Sequence, residues 1–448
     1  MSIERENLDK WKHDFNNNSN NLVMQNIISS NSLRSLYTNR NKYQNYNHLF
    51  SNTVKPNVKI TNQKSSGRCW MFAALNVVRR PFMEKYNLKD FEFSQSYLFF
   101  WDKLERFNYL LECILDTKEK DINDQTVQYL LKDPTCDGGQ WDMFVNLVEK
   151  YGLVPKSCFN ESYYSSSSSL MNAILKKKFR EYALKLRNSE NPKKDKQKYL
   201  QQYYNLLCKF MGTPPNNFSW EYVDSKDEFK KVSNLTPLDF YKNMVPFNYN
   251  DYICVVSDPR KENKFNKLYT VKYLGNVIEG NKVKYLNLPI KELKNLTIKS
   301  INNNEAVWYG CDVGKWLHRD QCSMDLELVN YSDLLGTTFS MNKEERLLSG
   351  DSLMTHAMVI TGYNKITNKS SVNDNNETNV DKWQVENSWS NKGPANGFYV
   401  MTDDWFNEYT FEVVVNKKYL NDNHKKILDG EVPIELKPWD PMGSLAKN

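Results

Sequence analysis

The sequence contains no long hydrophobic run. Its apolar stretches fall short of the roughly 18 residues that a membrane-spanning helix requires. The first ten residues, MSIERENLDK, are charged where a secretory signal peptide would be apolar. These absences argue against a membrane or secreted protein, so the sequence predicts a cytoplasmic location and no membrane partner.

The motifs that commonly hold metals are missing as well. The eight cysteines never come closer than 11 residues to one another, and none of the five histidines belongs to an HExxH motif. The sequence therefore indicates neither a zinc site nor a CxxC redox pair, and we expect no metal and no cofactor. Most of the cysteines are expected to be reduced and buried like small hydrophobic residues.

A strong excess of one charge is also absent. Sixty Lys and Arg residues against 54 Asp and Glu residues give a net charge of +6 over 448 residues. This excess permits nucleic-acid binding but does not by itself indicate it. The chain is 40% hydrophobic and 13% aromatic, which is typical of a folded globular protein, and its length predicts two or three lobes.

The most informative segment covers residues 63–76, QKSSGRCWMFAALN. A polar loop that contains glycine leads there into an apolar, helix-prone stretch beginning at Cys69. The free N–H groups and positive dipole end of a helix N-terminus favour a thiolate, which is the reactive form of cysteine. Cys69 is therefore a candidate nucleophile, although a lone cysteine in such a stretch is more often part of the core.

A thiol nucleophile needs a base, and the base needs a partner that orients it. His356 and Asn387 lie on two predicted strands, residues 354–363 and 383–389, which form an antiparallel meander with a third predicted strand at 397–402. Gln63 can donate an N–H to an oxyanion beside the Cys69 amide. Taken alone, each of these residues, like Trp389, has an ordinary structural interpretation, and the hypothesis depends on their combination.

Gln63, Cys69-Trp70, His356 and Asn387-Ser388-Trp389 occur in an order and local context that resembles the papain-like cysteine proteases. The pair Gly138 and Gly139 resembles the strip that binds substrate backbone in that superfamily. Two departures stand out. A separation of 287 residues between nucleophile and base, where papain-type enzymes have about 130 to 150, indicates a large insertion. Ser66 replaces a cysteine that in secreted relatives pairs with the equivalent of Cys136.

The departures and the strings GRCWMFAALN, THAMVITGY, VENSWS and PWDPMGSLAK resemble the bleomycin hydrolase family of cysteine aminopeptidases, from about residue 57 onward. The resemblance implies an α+β, papain-like two-lobed fold with a mainly helical insertion used in assembly, and a barrel-shaped homohexamer. It also implies a C-terminal arm lying in the cleft, whose terminal carboxylate pairs with the substrate amine. The substrate-binding residues are then Gly138, Gly139, Trp389 and Ala446.

The resulting division of the chain has five parts. We predict an N-terminal arm (1–56), a helical lobe with the nucleophile (57–160), an insertion (161–300), a β lobe with His356 and Asn387 (301–430) and the C-terminal arm (431–448). Within the insertion, residues 170–186 are predicted to form an amphipathic helix that buries Leu170, Ile174, Phe179, Tyr182 and Leu186. The polar runs 16–21, 165–169 and 373–379 are expected to be surface loops.

The function that these observations predict is a cytosolic cysteine aminopeptidase. It would remove N-terminal residues from peptides by thiol acyl transfer and would also hydrolyse bleomycin-type amides. Cys69 attacks, His356 moves the proton, Asn387 orients the ring, and Gln63 binds the oxyanion. The alternative is a hexameric assembly that binds nucleic acid weakly and for which peptidase activity is secondary.

Overall fold

The computed structural model describes residues 2–366 and 379–446. The predicted surface loop at 373–379 falls almost wholly outside these ranges, as do Lys447 and Asn448. The helices are α1 (Arg5–Asn16), α2 (Ser19–Ser30), α3 (Arg40–Gln44), α4 (Cys69–Lys85), α5 (Gln95–Asp116), α6 (Gln125–Lys132), α7 (Trp141–Tyr151), α8 (Tyr163–Ser166), α9 (Ser169–Arg187), α10 (Pro192–Met211), α11 (Pro237–Asp239), α12 (Ile290–Asn302), α13 (Tyr331–Leu335), α14 (Lys343–Ser349), α15 (Asp403–Tyr409) and α16 (Asp422–Gly430).

The strands form one large sheet and one hairpin. They are β1 (Asn52–Thr53), β2 (Phe218–Val223), β3 (Phe229–Leu235), β4 (Tyr252–Val256), β5 (Lys267–Val271), β6 (Tyr285–Asn287), β7 (Val307–Cys311), β8 (Leu317–His318), β9 (Ser323–Met324), β10 (His356–Lys365), β11 (Val380–Glu386), β12 (Phe398–Thr402), β13 (Thr410–Asn416) and β14 (Ile434–Leu436). The large sheet has the order β14-β5-β6-β4-β13-β7-β10-β11-β12-β9-β8, with β1 added to β10, and β2 pairs with β3.

The predicted antiparallel meander is confirmed. Strand β10 pairs with β11 in a register that sets Val359 opposite Glu386, and β11 pairs with β12 through Trp383 and Met401. Strand β10 is buried along most of its length, as expected for a strand flanked by neighbours on both sides. The antiparallel pairing of β10 with β11 brings the start of β10, at His356, close to the residue that follows β11, Asn387.

Helix α4 crosses this sheet and connects the two sides of the site. It begins at Cys69, as predicted, and its side chains are buried along almost the whole helix. Trp308 on β7 donates its indole N–H to the Trp70 carbonyl at 3.0 Å. At the far end of the helix, Arg79 and Arg80 both pair with Glu386 at the end of β11. The nucleophile helix is therefore fastened to the strand that leads directly to Asn387.

We expect Glu386→Leu to lower the melting temperature strongly, because it leaves two buried arginines without their counter-charge. Breaking one partner of a buried ion pair costs about 3 to 5 kcal/mol. Glu327→Leu is the matched control, since Glu327 pairs with Lys42 at the surface and exposed pairs contribute at most about 1 kcal/mol. Thermal unfolding of both variants compares them, and equal melting temperatures would contradict a structural role for Glu386.

The amphipathic helix predicted at residues 170–186 is present as α9, but two residues of its predicted buried face are wrong. Leu170 is 58% exposed and Ile174 is 39% exposed. The face that packs on the body instead has Met171 and Leu175 in their place, together with Phe179, Tyr182, Ala183 and Leu186. The spacing of the apolar residues allowed both faces, and contact with helix α5 selects the one that begins one position later.

Two runs predicted to be surface loops are ordered differently. Residues 16–21 are exposed, but they include the end of α1 and the start of α2, with Asn18 capping α2 by accepting the Asn20 and Asn21 amides. The serine run at 165–169 is partly buried, because Ser165 and Ser168 direct their hydroxyl groups to the carboxylates of Glu161 and Asp137. A local excess of polar residues therefore did not predict exposure where carboxylates were available.

The large sheet takes strands from both sides of residue 300, where one domain boundary was predicted. Strands β4, β5 and β6 precede that position and pair in the same sheet as β7 and β10, and residue 300 itself lies inside α12. At the other end of the chain, α1 and α2 bury none of their residues. These helices expose several large apolar side chains, among them Ile3, Leu8, Trp11 and Val23.

Across residues 2–366 and 379–446, the structure contains no helix that combines the length and the apolarity needed to cross a membrane.

Candidate active site

Cys69 lies at the first position of α4 with 4% of its surface exposed. Burial raises the pKa of its thiol to about 11, although backbone N–H groups of Ala357, Trp70 and Cys69 itself act in the opposite direction. The contribution of Ala357 shows that the thiol lies against the start of β10, next to His356. The helix N-terminus and this strand therefore bring the predicted nucleophile and base to one place.

His356 is oriented by Asn387, as the pattern predicted. The distance from His356 Nε2 to Asn387 Oδ1 is 2.9 Å. An amide oxygen can only accept, so Nε2 carries the proton and Nδ1 is left as the acceptor. Burial lowers the pKa of His356 to about 4, opposed by the hydrogen bond to Asn387 and aided by the positive charge of Arg319. The ring can therefore take a proton through Nδ1.

Both pKa shifts favour the neutral pair near pH 7, with the proton on Cys69. Only the thiolate reacts with alkylating agents, so we expect slow reaction of Cys69 with iodoacetamide at neutral pH and a rate that rises toward pH 11. Removing residues 444–448 should lower the midpoint of this profile, because water would reach the thiol. Mass spectrometry of the Cys69 peptide across pH measures it, and an unchanged midpoint would contradict burial by the arm.

Gln63 is held so that its amide faces the nucleophile loop. Its Nε2 donates to the Ser66 carbonyl at 2.6 Å, and its Oε1 accepts the Ser388 hydroxyl proton at 2.5 Å. The backbone N–H of Gln63 also donates to the Ser388 carbonyl. Because the amide oxygen and one N–H are occupied, the second N–H remains available to an oxyanion. Sequence reasoning identified Gln63 but missed Ser388, the residue that sets its orientation.

Trp389 covers the base and its partner. Its ring centroid lies 4.8 Å from that of His356, and the Arg319 guanidinium lies over the other part of the indole, 5.2 Å from the ring centroid. The tryptophan therefore shields the hydrogen bond between His356 and Asn387 from water, which strengthens that bond. Its position supports a protective role, whereas the sequence assigned it to substrate binding.

Gly138 and Gly139 are required by close packing. A side chain at Gly138 would come within 2.0 Å of the Leu445 carbonyl oxygen, and one at Gly139 would come within 2.6 Å of the Trp70 ring. The first glycine therefore lets the C-terminal arm approach the backbone, and the second lets the strip pack on the nucleophile helix. Of the two, only Gly138 faces the position where a bound peptide chain would lie.

The C-terminal arm ends in this cleft. The Ala446 carbonyl oxygen accepts from the Cys136 thiol at 2.8 Å and from the Arg106 guanidinium at 3.4 Å. Arg106 is itself paired with Asp102. Cys136, which the sequence resemblance left without a partner, therefore holds the arm. Arg106 was not anticipated, because nothing local to it distinguishes it from other charged residues of α5.

The arm is also held from the side of the base. The Ser444 hydroxyl donates to the Met354 carbonyl at 3.0 Å, two residues before His356, and the Tyr285 hydroxyl donates to the Met442 carbonyl at 3.0 Å. Asp440 pairs with Arg260. Residues 442–446 are buried, so the arm fills the space between the glycine strip and the segment that leads to His356.

The comparisons with known proteins agree with this geometry. The family model of the peptidase C1-like family matches residues 2–443. The chain belongs to the peptidase C1-like family. It is similar to bleomycin hydrolase from Mus musculus, at 45% identity over 95% of each chain, and to aminopeptidase C from Listeria innocua, at 42% identity over 99% of each chain.

A solved structure supports the same family assignment. The crystal structure of PepW from Lactobacillus rhamnosis matches with a TM-score of 0.94 and 38% identity, and the match covers 99% of each chain. Membership of the peptidase C1-like family confirms the α+β, papain-like fold class and the relationship to bleomycin hydrolases that the motifs indicated.

Proposed function

We propose that the protein is a cysteine aminopeptidase. Cys69 Sγ attacks the carbonyl carbon of the first peptide bond while its proton passes to His356 Nδ1. The oxyanion is bound by the free N–H of Gln63 and the Cys69 amide. His356 then returns the proton to the leaving amine, and water hydrolyses the thioester with His356 as the base. This sequence of steps uses the neutral pair from which the buried site starts.

The observation that carries the proposal is the position of the arm. Residues 444–446 are bonded to Cys136 on one side of the cleft and to Met354 on the other. A long substrate that extended through the cleft would have to occupy the same space beside Gly138. Only a substrate whose chain begins next to Cys69 fits, so the enzyme removes residues from a free N-terminus.

The experiment for this function compares two fluorogenic substrates that differ only at the α-amine. The purified protein should release the fluorophore from an aminoacyl substrate in the presence of a reducing agent. The N-acetylated form of the same substrate should be cleaved far more slowly, because the acetyl group meets the arm. Equal cleavage of both substrates would contradict aminopeptidase activity, and cleavage of neither would contradict peptidase activity altogether.

The arm is also a candidate substrate of the enzyme itself. We propose that Cys69 removes Asn448 and Lys447, so that Ala446 carries the carboxylate that pairs with the substrate amine. The hydrogen bonds from Arg106 and Cys136 to Ala446 support this position as the end of the working arm. Intact masses of the wild type and Cys69→Ala decide the matter, since only the active protein should lose residues.

The relatives extend the proposal to non-peptide amides. Relatives at 44–45% identity over 95% of this chain are named bleomycin hydrolase, and we propose that this protein also hydrolyses bleomycin-type amides. The same thiol chemistry applies, because an amide next to a free amine presents the groups that the site recognises. Mass spectrometry of bleomycin after incubation would show conversion of the amide to the acid, and unchanged bleomycin would contradict this extension.

Assembly and location remain proposals. We propose a homohexamer in the cytoplasm, and the apolar side chains that α1 and α2 expose, such as Trp11 and Val23, support contacts between copies. Light scattering should report a particle several times the 52.9 kDa of one chain. A monomer at micromolar concentration would contradict the hexamer.

The nucleic-acid-binding alternative is less well supported. The names of the relatives point to peptidases and hydrolases, and a net charge of +6 gives little electrostatic drive. Weak binding stays a prediction, and a steep loss of affinity with added salt would support it.

A further inference from the structure

Asp137 occupies a buried position between the nucleophile loop and the glycine pair. It directly precedes Gly138, and four groups donate to its carboxylate. The Gly67 backbone N–H and the Ser168 hydroxyl reach Oδ2. The Asn172 amide and the Lys103 ammonium reach Oδ1, each at 2.7 Å. The bond from Gly67, at 3.0 Å, attaches the carboxylate to the loop two residues before Cys69.

The backbone of Asp137 makes a second attachment to the nucleophile helix. Its carbonyl oxygen accepts the Trp70 indole N–H at 2.7 Å. A side chain added to Gly67 would come within 2.9 Å of the Asp137 Cβ, so the loop and this residue are in direct contact. Asp137 therefore holds the residues on both sides of Cys69, one through its side chain and one through its main chain.

Lys103 completes the arrangement from helix α5. Its ammonium group uses three donors, one to Asp137 and two to the carbonyl oxygens of Thr135 and Cys136 at 2.6 and 3.1 Å. Burial alone would raise the pKa of Asp137, but Lys103 and the other donors hold it well below its ordinary value. The carboxylate is thus charged, and the segment 135–137 is fixed to the body of the helical lobe.

We propose that Asp137 is a positioning residue, which holds the loop before Cys69 in register with Gly138 so that the thiol, the oxyanion donors and the bound substrate keep their relative places. The inference deepens the proposed peptidase function and rests on it. Here a charged, four-donor hydrogen-bond centre joins the loop to the strip. A displacement of about 1 Å in such a site costs on the order of a hundredfold in rate.

The charge of Asp137 supplies a readout that a purely structural role would not move. The carboxylate contributes to raising the pKa of Cys69, after the larger effect of burial. Removing that charge should therefore lower the pKa of Cys69. The other titratable groups that face this region are Lys103 and Arg106 beside Asp137 and Cys311 and His356 beside Cys69, and the test leaves them unchanged.

The experiment compares wild type, Asp137→Asn and Asp325→Asn. Asp325 is a matched control, because it is also buried and accepts backbone N–H groups, from Glu327 and Leu328, in a different loop. For each protein we would measure kcat and KM on a free aminoacyl substrate and the pH midpoint of Cys69 alkylation. We expect Asp137→Asn to lower kcat by about tenfold to a hundredfold with little change in KM, and to shift the midpoint to lower pH.

Asp325→Asn should change neither quantity. A wild-type kcat in Asp137→Asn, or an alkylation midpoint that does not move to lower pH, would overturn the proposal. If Asp137→Asn does not fold, as judged from its melting curve, Ser168→Ala removes one donor but keeps the charge. That variant should lose about threefold in kcat without a shift to lower pH, and unchanged kcat would overturn the proposal. Absence of turnover in the wild type would count against the peptidase function instead.

Discussion

Cys69→Ala abolishes turnover while the protein keeps its fold and its assembly. Removing a catalytic nucleophile typically lowers kcat by on the order of a millionfold. Cys69 alone combines a helix N-terminus with a neighbouring histidine that has a free ring nitrogen. Alanine is smaller than cysteine and apolar, so the start of α4 can accept it without a buried polar group losing its partner.

The other two members of the site should follow a defined order. His356→Ala should be nearly as damaging as Cys69→Ala, because no proton acceptor then remains beside the thiol. Asn387→Ala should be milder by about one to two orders of magnitude, since it only orients the ring. Cys208→Ala is the matched control, because Cys208 lies on α10, a helix that carries none of the candidate site residues.

Aminoacyl-substrate kinetics and melting curves of the four variants provide the comparison. Cys208→Ala should retain wild-type rates. Measurable wild-type turnover in purified Cys69→Ala, or equal rates for the three site variants, would contradict the assigned roles.

Cutting the chain before Trp439 should convert the enzyme from an exopeptidase into one that also cuts internally. The truncation removes the residues that fill the cleft beside Gly138, so a peptide can extend past Cys69 in both directions. Aminopeptidase activity should fall by roughly tenfold to a hundredfold, the range expected for loss of a charge-assisted hydrogen bond to the substrate amine. Digestion of a long N-acetylated peptide, analysed by mass spectrometry, would reveal internal fragments.

A shorter truncation separates gating from stability. Ending the chain after Gly443 keeps the ion pair of Asp440 with Arg260 and the hydrogen bond from Tyr285 to Met442. It removes only the segment that contacts Cys136 and Met354. We expect this variant to melt close to the wild type and to show the same gain of internal cleavage. If both truncated proteins remain strict exopeptidases, the arm does not gate the cleft.

The sequence predicted the parts of the site that are marked by local signals. Cys69 follows a glycine-containing loop at a helix start, and His356 and Asn387 lie on or beside strands of clear pattern. The structure places these residues together as expected. The family relationship and the fold class were also predictable, because several motifs occur in the order typical of one superfamily.

The remaining features depend on contacts between distant segments. Arg106, Glu386 and Asp137 are ordinary charged residues in the sequence, and their importance arises only where the fold buries them beside Ala446, Arg79 and Gly67. The same cause explains the wrong face of α9 and the buried serines at 165 and 168. Local periodicity does not specify which side of a helix meets its neighbour, and local polarity does not reveal a buried carboxylate elsewhere in the chain.

The most direct test of the account compares an aminoacyl substrate with its des-amino analogue, in which hydrogen replaces the α-amine. The analogue adds no bulk, so the comparison isolates recognition of the charge from the blocking effect of the arm. The account predicts that the full-length enzyme favours the amine by roughly tenfold to a hundredfold in kcat/KM, and that ending the chain after Gly443 brings the ratio close to one. A ratio that persists after this truncation would contradict the claim that the end of the arm binds the substrate amine.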